Sequence, residues 1–203
     1  MTPVYKLSAN SVKNGRTVYG SMLAGNTAYV LPGDFESIAT VTVGSGGAAN
    51  VEFTSIPATY AHLQIRAIAK AAATASDAAY DLRLSFNSNT TGSDYNEHYL
   101  YGNGSSVGAG VNTNNRIIGT SMGSGNASMF AVNVYDILDY ANTNKYKTIR
   151  TLCGWDANGS GQVTFMSQVW MKTNAINSIT IDFNTGPSFG QYSHFALYGI
   201  RSA

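Results

Sequence analysis

The stretch of this sequence that comes nearest to a metal-binding motif is Asp156-Ala-Asn-Gly-Ser-Gly161. Oxygen-bearing side chains stand at its first, third and fifth positions and glycine at its sixth, as in the first half of a calcium-binding EF-hand loop. The twelfth position is Ser167, where that loop needs a bidentate glutamate, and the segment after Gly161 is patterned as a strand. We therefore interpret the stretch as a metal-free hairpin turn, and calcium binding stays as the alternative.

Histidine and cysteine form no ligand cluster in the sequence. The three histidines, His62, His98 and His194, are far apart and have no ligand spacing among them. Cys153 is the only cysteine, which excludes an intrachain disulfide and a cysteine metal cluster. Because it lies in an apolar run, we predict a small buried side chain rather than a reactive thiol. The sequence predicts neither a metal nor a cofactor.

Two pairs of acidic residues have the side chains that glycoside hydrolysis needs, since that reaction uses two carboxyl groups flanking the scissile bond. The pairs are Asp94 with Glu97 and Asp136 with Asp139. Spacing alone is weak evidence for catalysis, because aspartate is also an ordinary loop former. We predict that the protein is not an enzyme and has no catalytic residues, with a glycan-degrading enzyme as an alternative.

Three tyrosines, Tyr95, Tyr99 and Tyr101, precede the turn Gly102-Asn-Gly104. Tyrosine, asparagine and serine together are typical of adaptable recognition surfaces such as antibody loops, and aromatic rings also stack on sugars. Packing in a core explains alternating tyrosines equally well. We predict that some of these residues contact a neighbouring subunit, and glycan binding is the alternative.

Composition limits the partners of this protein. Charged residues make up only 11% of the 203 residues and the formal net charge is +1, so we expect no nucleic-acid partner and no insertion into a membrane. No apolar stretch approaches the length of a membrane span, and the first residues lack the pattern of a signal peptide. We expect a protein that folds in a cytoplasm and is incorporated into a larger assembly.

The segments that carry these residues are patterned as β-strands. Residues 147–200 predict an antiparallel meander with Asn158-Gly159 as a hairpin turn, in which Ile179, Ile181 and Phe183 share one face. Val163, Phe165 and Val169 share one parity of another strand. With about eight to ten strands and no helix of ordinary length, the sequence predicts an all-β fold, an antiparallel jelly-roll-like β-sandwich.

Low charge and loops rich in asparagine and serine predict a homo-oligomer, with a trimer favoured. Loops as long as those between Asn87 and Gly125 usually form functional surfaces or contact neighbours. We therefore expect the region from Asn87 to Gly125 to lie near the subunit contacts.

The first 35 residues differ from the predicted head, residues 36–203. Their hydrophobic residues have little periodicity, and the segment is too apolar for a solvated disordered tail. One interpretation is that residues 1–35 pack as edge strands on their own domain. The other is an extended anchoring arm that docks on another protein through Leu23, Tyr29 and Leu31.

Five strings of the head carry a family resemblance. They are Glu36-Ser-Ile-Ala-Thr-Val-Thr-Val-Gly44, Phe53-Thr-Ser-Ile-Pro-Ala-Thr-Tyr-Ala-His-Leu-Gln-Ile65, His98-Tyr-Leu-Tyr-Gly-Asn-Gly-Ser-Ser106, Asp136-Ile-Leu-Asp-Tyr-Ala-Asn-Thr-Asn-Lys-Tyr-Lys147 and Ser193-His-Phe-Ala-Leu-Tyr-Gly-Ile200. Together they resemble a recurrent module of marine tailed-bacteriophage virion proteins, those of cyanophages especially. The resemblance begins near Glu36 and leaves the first 35 residues outside.

In that family the module is similar to fibre-tip and particle-surface domains. The resemblance implies a non-enzymatic virion structural protein, either tail-associated or capsid-decorating, that is assembled in the host cytoplasm and aids host attachment. The expected partners are other virion proteins, reached through the N-terminal arm, further copies of the chain and a host surface glycan. A free carbohydrate-binding module is the alternative, beside the glycan-degrading enzyme.

Overall fold

The structure, a computed structural model, describes residues 35–72, 79–121 and 128–201. In these ranges the chain forms β-strands and one 3₁₀ turn, Gly92–Asp94. The strands are β1 (Phe35–Thr42), β2 (Asn50–Phe53), β3 (His62–Ala69), β4 (Tyr80–Phe86), β5 (Tyr95–Gly102), β6 (Val107–Thr113), β7 (Ile117–Ser121), β8 (Ala131–Leu138), β9 (Lys147–Asp156), β10 (Gly161–Trp170), β11 (Ile179–Phe183) and β12 (His194–Ile200).

The strands form two sheets in which every pairing is antiparallel. The large sheet has 8 strands in the order β1-β12-β3-β8-β9-β10-β5-β6, and the small sheet has 4 in the order β2-β11-β4-β7. The prediction of an all-β, antiparallel fold with two sheets is therefore confirmed. The predicted hairpin at Asn158-Gly159 is also confirmed, since β9 and β10 pair along their whole length.

The core lies between the two sheets, because alternate side chains of each strand point to opposite faces. Ile179, Ile181 and Phe183, predicted to share a face of β11, are all buried. Phe189 joins the sheets, with its ring centroid 4.6 Å from that of Phe183 in the small sheet and 5.0 Å from that of Phe195 in the large one. Full burial of each such side chain stabilises the fold by about 1.5–3 kcal/mol.

The small sheet covers only part of the large one. Its edge strand β7 packs over β8 and β9. Tyr95 of β5 and Trp170 of β10 pack against Phe86 of the small sheet, whereas the other ends of β5 and β10, together with β6, border an open cleft.

Two amide side chains of the large sheet connect to the backbone of β7. Asn133 accepts from the Thr120 N–H at 2.9 Å and donates to the Thr120 carbonyl at 2.8 Å, and Gln168 donates to the Ile117 carbonyl at 3.0 Å.

The structure also bears on the chain organisation expected from the sequence. The region between Asn87 and Gly125, interpreted from the sequence as long loops, contains the three strands β5, β6 and β7 in its described part. The docking residues Leu23, Tyr29 and Leu31 lie outside the described residues. No helix in the described part of the chain is long and apolar enough to cross a membrane.

Candidate functional site

A cleft of about 550 Å³ opens between the inner face of the large sheet and strand β7. Its floor is built by residues of β5, β6, β9 and β10. The side chains that decide its chemistry are Glu97, Tyr99, Tyr101, Asn112, Trp155 and Gln162. Asp81, at the start of β4, stands at the side of the small sheet. The cleft therefore combines aromatic, amide and carboxyl groups.

Two tyrosine rings form a platform on the cleft floor. Tyr99 and Tyr101 alternate along β5, and their ring centroids lie 6.4 Å apart with an angle of 30° between the planes. Each ring lies against a glycine of the neighbouring strand β6. A Cβ atom at Gly110 would stand 2.6 Å from the Tyr99 hydroxyl oxygen, and one at Gly108 would stand 2.7 Å from the Tyr101 ring. The absence of side chains at these two positions gives the rings room to lie over β6.

Glu97 lies beneath the same floor, and its side chain is 0% exposed. Its Oε1 accepts a hydrogen bond of 2.6 Å from the Asn112 Nδ2, whereas its Oε2 has no partner in the described part of the chain. Burial raises the pKa of Glu97 to about 7; the hydrogen bond from Asn112 acts in the opposite direction, and the nearby carboxyl of Asp81 adds a smaller increase. Glu97 therefore carries a proton at a pH where an exposed glutamate has lost it.

The Cys153 thiol closes the cleft floor on β9 and is buried, as predicted. Burial raises its pKa to about 12, and the carboxyls of Asp81 and Glu97 act in the same direction. A thiol with such a pKa is not a nucleophile at neutral pH. Cys153 is thus a small packing side chain.

Tyr95, grouped with Tyr99 and Tyr101 in the sequence analysis, lies elsewhere. It is 0% exposed and packs in the core, with its ring centroid 6.3 Å from that of Phe86 and 6.4 Å from that of Trp170. Its hydroxyl accepts from the Phe86 N–H and donates to the Asn89 carbonyl, both at 3.0 Å. The structure therefore places Tyr99 and Tyr101 in the cleft and gives Tyr95 a packing role.

The two carboxylate pairs considered for catalysis are held by other contacts. Asp94 is bound by Asn89 at 2.7 Å and by Lys172 at 2.9 Å, while Glu97 faces the cleft. Asp136 accepts from the Gln64 amide at 2.8 Å, and Asp139 pairs with Lys145. Of these four groups only Glu97 lines the cleft, and its carboxyl has no exposed surface.

The three histidines stay apart in the fold. The His62 Nδ1 accepts from the Asp139 N–H at 3.0 Å, and the His194 Nδ1 lies 2.9 Å from the Thr42 hydroxyl. His98 lies on the exposed face of β5. Across residues 35–72, 79–121 and 128–201, no group of three or more His, Cys, Asp or Glu side chains could hold a metal ion.

The Asp156 turn is stabilised by its own hydrogen bonds. The Asp156 Oδ1 accepts from the Asn158 N–H at 2.8 Å, and the Ala157 N–H donates to the Ser160 carbonyl at 2.7 Å. Asn158 and Gly159 have φ angles of 54° and 120°, a conformation that asparagine and glycine adopt most easily. The Asp156 carboxylate thus has a role inside the hairpin turn.

A second surface of interest is the opposite, solvent-facing side of the large sheet. We call it the outer apolar face, and it consists of Leu100, Val107, Val111, Leu152, Val163 and Phe165, all exposed. Phe165 stands opposite Leu152 on β9 and opposite Leu100 on β5, so these three side chains form a row across three strands. Val107, at the sheet edge, is 89% exposed.

Comparison with known proteins identifies no relative of this chain. No family model matches the chain, and neither the curated proteins nor the solved structures contain a match. Function has to be inferred from the cleft and the outer apolar face themselves.

Sequence reasoning missed most of both surfaces. Asn112 and Trp155 did not stand out, and the shared parity of Val163 and Phe165 did not indicate an exposed face. One signal was present, because Gly108 and Gly110 alternate with apolar residues in the way that a strand does. That pattern, next to alternating tyrosines, indicates a strand whose glycines leave room for rings.

Proposed function

We propose that this chain is a non-enzymatic structural protein of a bacteriophage virion, displayed on the particle surface and associated there with further copies of itself. The observation that carries the proposal is the outer apolar face. Monomeric proteins rarely expose contiguous apolar patches larger than a few hundred Å², and patches above that size mark interaction sites. The five strings that resemble virion modules supply the virion part of the proposal. They lie mainly in the large sheet and reach the small sheet only at Phe53, the last residue of β2.

The strand order supports a jelly roll for the head. When the hairpins β5-β6 and β9-β10 are set aside, the remaining strands form the orders β1-β12-β3-β8 and β2-β11-β4-β7. Renumbered from one to eight, these are 1-8-3-6 and 2-7-4-5, the winding in which the first strand pairs with the last. Jelly rolls occur in viral capsid proteins and in lectins, which agrees with a structural role and with glycan recognition.

The occupant of the outer apolar face is, on this proposal, a second copy of the chain. The six side chains carry no charge, and the nearby Arg150 guanidinium lies 6.0 Å from the centre of the Phe165 ring. Another copy of the same face can cover the apolar side chains, which a charged partner would leave unmatched. Covering half of a Val, Leu or Phe side chain is worth about 1 kcal/mol, so the six together offer roughly 6 kcal/mol before the entropic cost of association is subtracted.

The edge of the large sheet points to the same occupant. β6 is an edge strand, and none of the residues in its sequence VGAGVNT is charged. Charged residues and proline are the usual protection of an edge strand against pairing with another chain. The outer apolar face continues to this edge through Val107 and Val111, so a second copy could cover both. β5 and β6 also belong to the region from Asn87 to Gly125, where subunit contacts are expected.

The oligomeric state tests this part of the proposal. Light scattering on the purified chain should give a homo-oligomer. A dimer follows if the outer apolar face meets the same face on a second copy, whereas the trimer favoured from the sequence requires that face to meet a different surface of the next copy. The double variant Leu100→Lys with Leu152→Lys should give a folded monomer with an unchanged β signature in circular dichroism. Thr40→Lys, on the exposed face of β1 at the other end of the sheet, is the matched control and should remain oligomeric. A wild-type monomer at micromolar concentration and on the particle would overturn the proposal.

The virion role is tested through the N-terminal arm, which lies outside the described residues. On the proposal, Leu23, Tyr29 and Leu31 dock on another capsid or tail protein. Deleting residues 1–33 should then leave a folded head that no longer joins the particle. Insoluble protein would instead identify residues 1–33 as part of the sandwich, and a folded head that joins particles normally would refute anchoring by the arm.

A glycan-degrading enzyme is a weaker fit to the cleft. Glycoside hydrolysis needs two carboxyl groups that flank the scissile bond. Asp81 and Glu97 both line the cleft, but Glu97 has no exposed surface with which to reach a substrate. Full burial of Glu97 therefore supports binding without catalysis.

A further inference from the structure

We infer that the cleft binds a neutral saccharide, which stacks on Tyr99 and Tyr101 and forms hydrogen bonds with the side chains of Asn112 and Gln162. The inference deepens the attachment role but does not depend on assembly. The cleft lies on the inner face of the large sheet and the outer apolar face lies on the other side. A monomer with an intact cleft would still bind, so either proposal can fail alone.

The tyrosine platform fits the shape of a sugar ring. A pyranose has an apolar face of C–H groups and a rim of hydroxyls, so it is recognised by an aromatic surface below and polar groups around it. Tyr99 and Tyr101 are partly buried and line an open cleft, unlike Tyr95, which is enclosed by the core. In the described part of the chain neither hydroxyl has a hydrogen-bond partner, so both remain for a ligand.

The glycines of β6 support a binding role over ordinary packing. Any side chain at Gly108 or Gly110 would collide with a ring. Such a side chain would push the rings up into the cleft, whereas glycine lets them lie along its floor. The two glycines therefore keep both a flat aromatic surface and the volume above it.

Asn112 is held in one orientation by the buried glutamate. Its Nδ2 donates to the Glu97 Oε1 at 2.6 Å, which leaves the Asn112 carbonyl oxygen to accept a hydrogen bond from a ligand hydroxyl. Gln162 is fixed in a similar way, because its Nε2 donates to the Thr164 hydroxyl at 2.8 Å. Glu97 is thus a positioning residue for Asn112, and orientation set in advance lowers the entropic cost of binding.

The charges of the cleft select against acidic ligands. Asp81 and Glu97 line it, and no Lys, Arg or His does so among the described residues. An acidic sugar would meet the Asp81 carboxyl and find no cation, whereas recognition of carboxylates normally uses arginine or lysine. Glu97 adds little to this repulsion, because it is buried and its pKa is raised to about 7. Neutral hydroxyl groups can instead donate to the oxygens of the amide side chains. The electrostatics therefore favour an uncharged glycan.

Tryptophan fluorescence offers a direct readout on the full chain. Of the 2 tryptophans, Trp155 lines the cleft and Trp170 is buried in the core. The probes are neutral tetrasaccharides of glucose, mannose or galactose, with tetragalacturonate as the acidic control. At least one neutral probe should change the fluorescence saturably in the millimolar range or below. The inference would be overturned if none of the neutral probes bound at about 10 mM, or if the protein bound tetragalacturonate more tightly than every neutral probe.

Variants separate binding at this cleft from binding elsewhere. Tyr101→Ala and Asn112→Ala should each weaken the neutral probe about tenfold or more, while Tyr146→Ala, which removes an exposed tyrosine outside the cleft, should bind as the wild type does. Glu97→Gln should retain binding because a glutamine carbonyl still accepts from Asn112, and Glu97→Leu should lose it. Wild-type affinity in both Tyr101→Ala and Asn112→Ala would refute the site.

Discussion

Glu97→Gln should change how the stability of this protein depends on pH. Burial raises the pKa of Glu97 from an ordinary value of 4.5 to about 7, so the folded carboxyl holds its proton more tightly than the unfolded one. Such a group stabilises the fold fully below pH 4.5, and this contribution is lost as the pH rises through 7. Since one pKa unit corresponds to about 1.4 kcal/mol, the wild type should lose about 3 kcal/mol from this group.

The assay is urea unfolding of wild type and variant at a series of pH values between about 4.5 and 8. Glutamine resembles the protonated carboxyl, because it is uncharged at every pH and its carbonyl still accepts from Asn112. The free energy of unfolding of the variant, relative to the wild type, should therefore rise by about 3 kcal/mol across this range. Asp81 remains in both proteins, so its own titration largely cancels in the difference.

Glu52→Gln, on the exposed face of β2, is the matched control for the loss of one glutamate. The difference between Glu97→Gln and wild type should exceed that of this control at pH 8 and approach it near pH 4.5. If the stability difference between Glu97→Gln and wild type is the same at both ends of the range, Glu97 takes up no proton there. The argument from its burial would then be wrong.

Three further outcomes are expected. Tyr95→Phe should lower the free energy of unfolding by about 1–2 kcal/mol, because the Phe86 N–H and the Asn89 carbonyl lose their buried partner, and an unchanged urea midpoint would contradict this. Asn133→Ala should cost about 2–3 kcal/mol in the same assay, since both backbone groups of Thr120 lose a bond, and a loss well under 1 kcal/mol would show that water replaces the amide. Millimolar calcium should leave the melting temperature unchanged; a rise of several degrees that Asp156→Ala abolishes would establish a calcium site.

Alternation of apolar and polar residues predicted the buried face of β11. Ile179, Ile181 and Phe183 share a parity and are all buried, because β11 lies inside its sheet with the core on one face. The hairpin at Asn158-Gly159 was readable for a local reason, since positive φ angles are easiest for these two residues. The hairpin could be predicted from local residue chemistry, and the buried face of β11 from the single core face of its sheet.

On β10 the alternation of apolar and polar residues did not show which face of the strand is buried. Val163 and Phe165 are exposed, while Thr164 and Gln168 point inward. A period of two shows that the faces of a strand differ, but which face is buried depends on what covers it. The small sheet does not cover this part of the large sheet. The polar side chains of Gln162 and Thr164 therefore line the cleft, and the apolar side chains of Val163 and Phe165 face solvent.

The candidate site depends on contacts that are distant in sequence. Glu97 meets Asn112 across β5 and β6, and Asp81 approaches from the other sheet. Glycine-rich stretches are normally interpreted as loops. For this reason the sequence did not reveal that the glycine-rich segment β6 is the strand over which the tyrosine rings lie. The spacing of residues along a sequence does not show which side chains from different sheets come together. It also does not show the space that a glycine leaves for a neighbouring ring.

The pairing of β1 with β12 constrains how the head can form during translation. Phe35 stands opposite Ile200, and β1 has no other partner in the described sheets. β1 therefore leaves the ribosome first among these strands and waits until the last of them has been synthesised. Folds dominated by such non-local pairings fold slowly, because the entropy of closing a long loop must be spent before any contact is gained. An unpaired β1 on a nascent chain is also a site where neighbouring chains on one messenger RNA could meet.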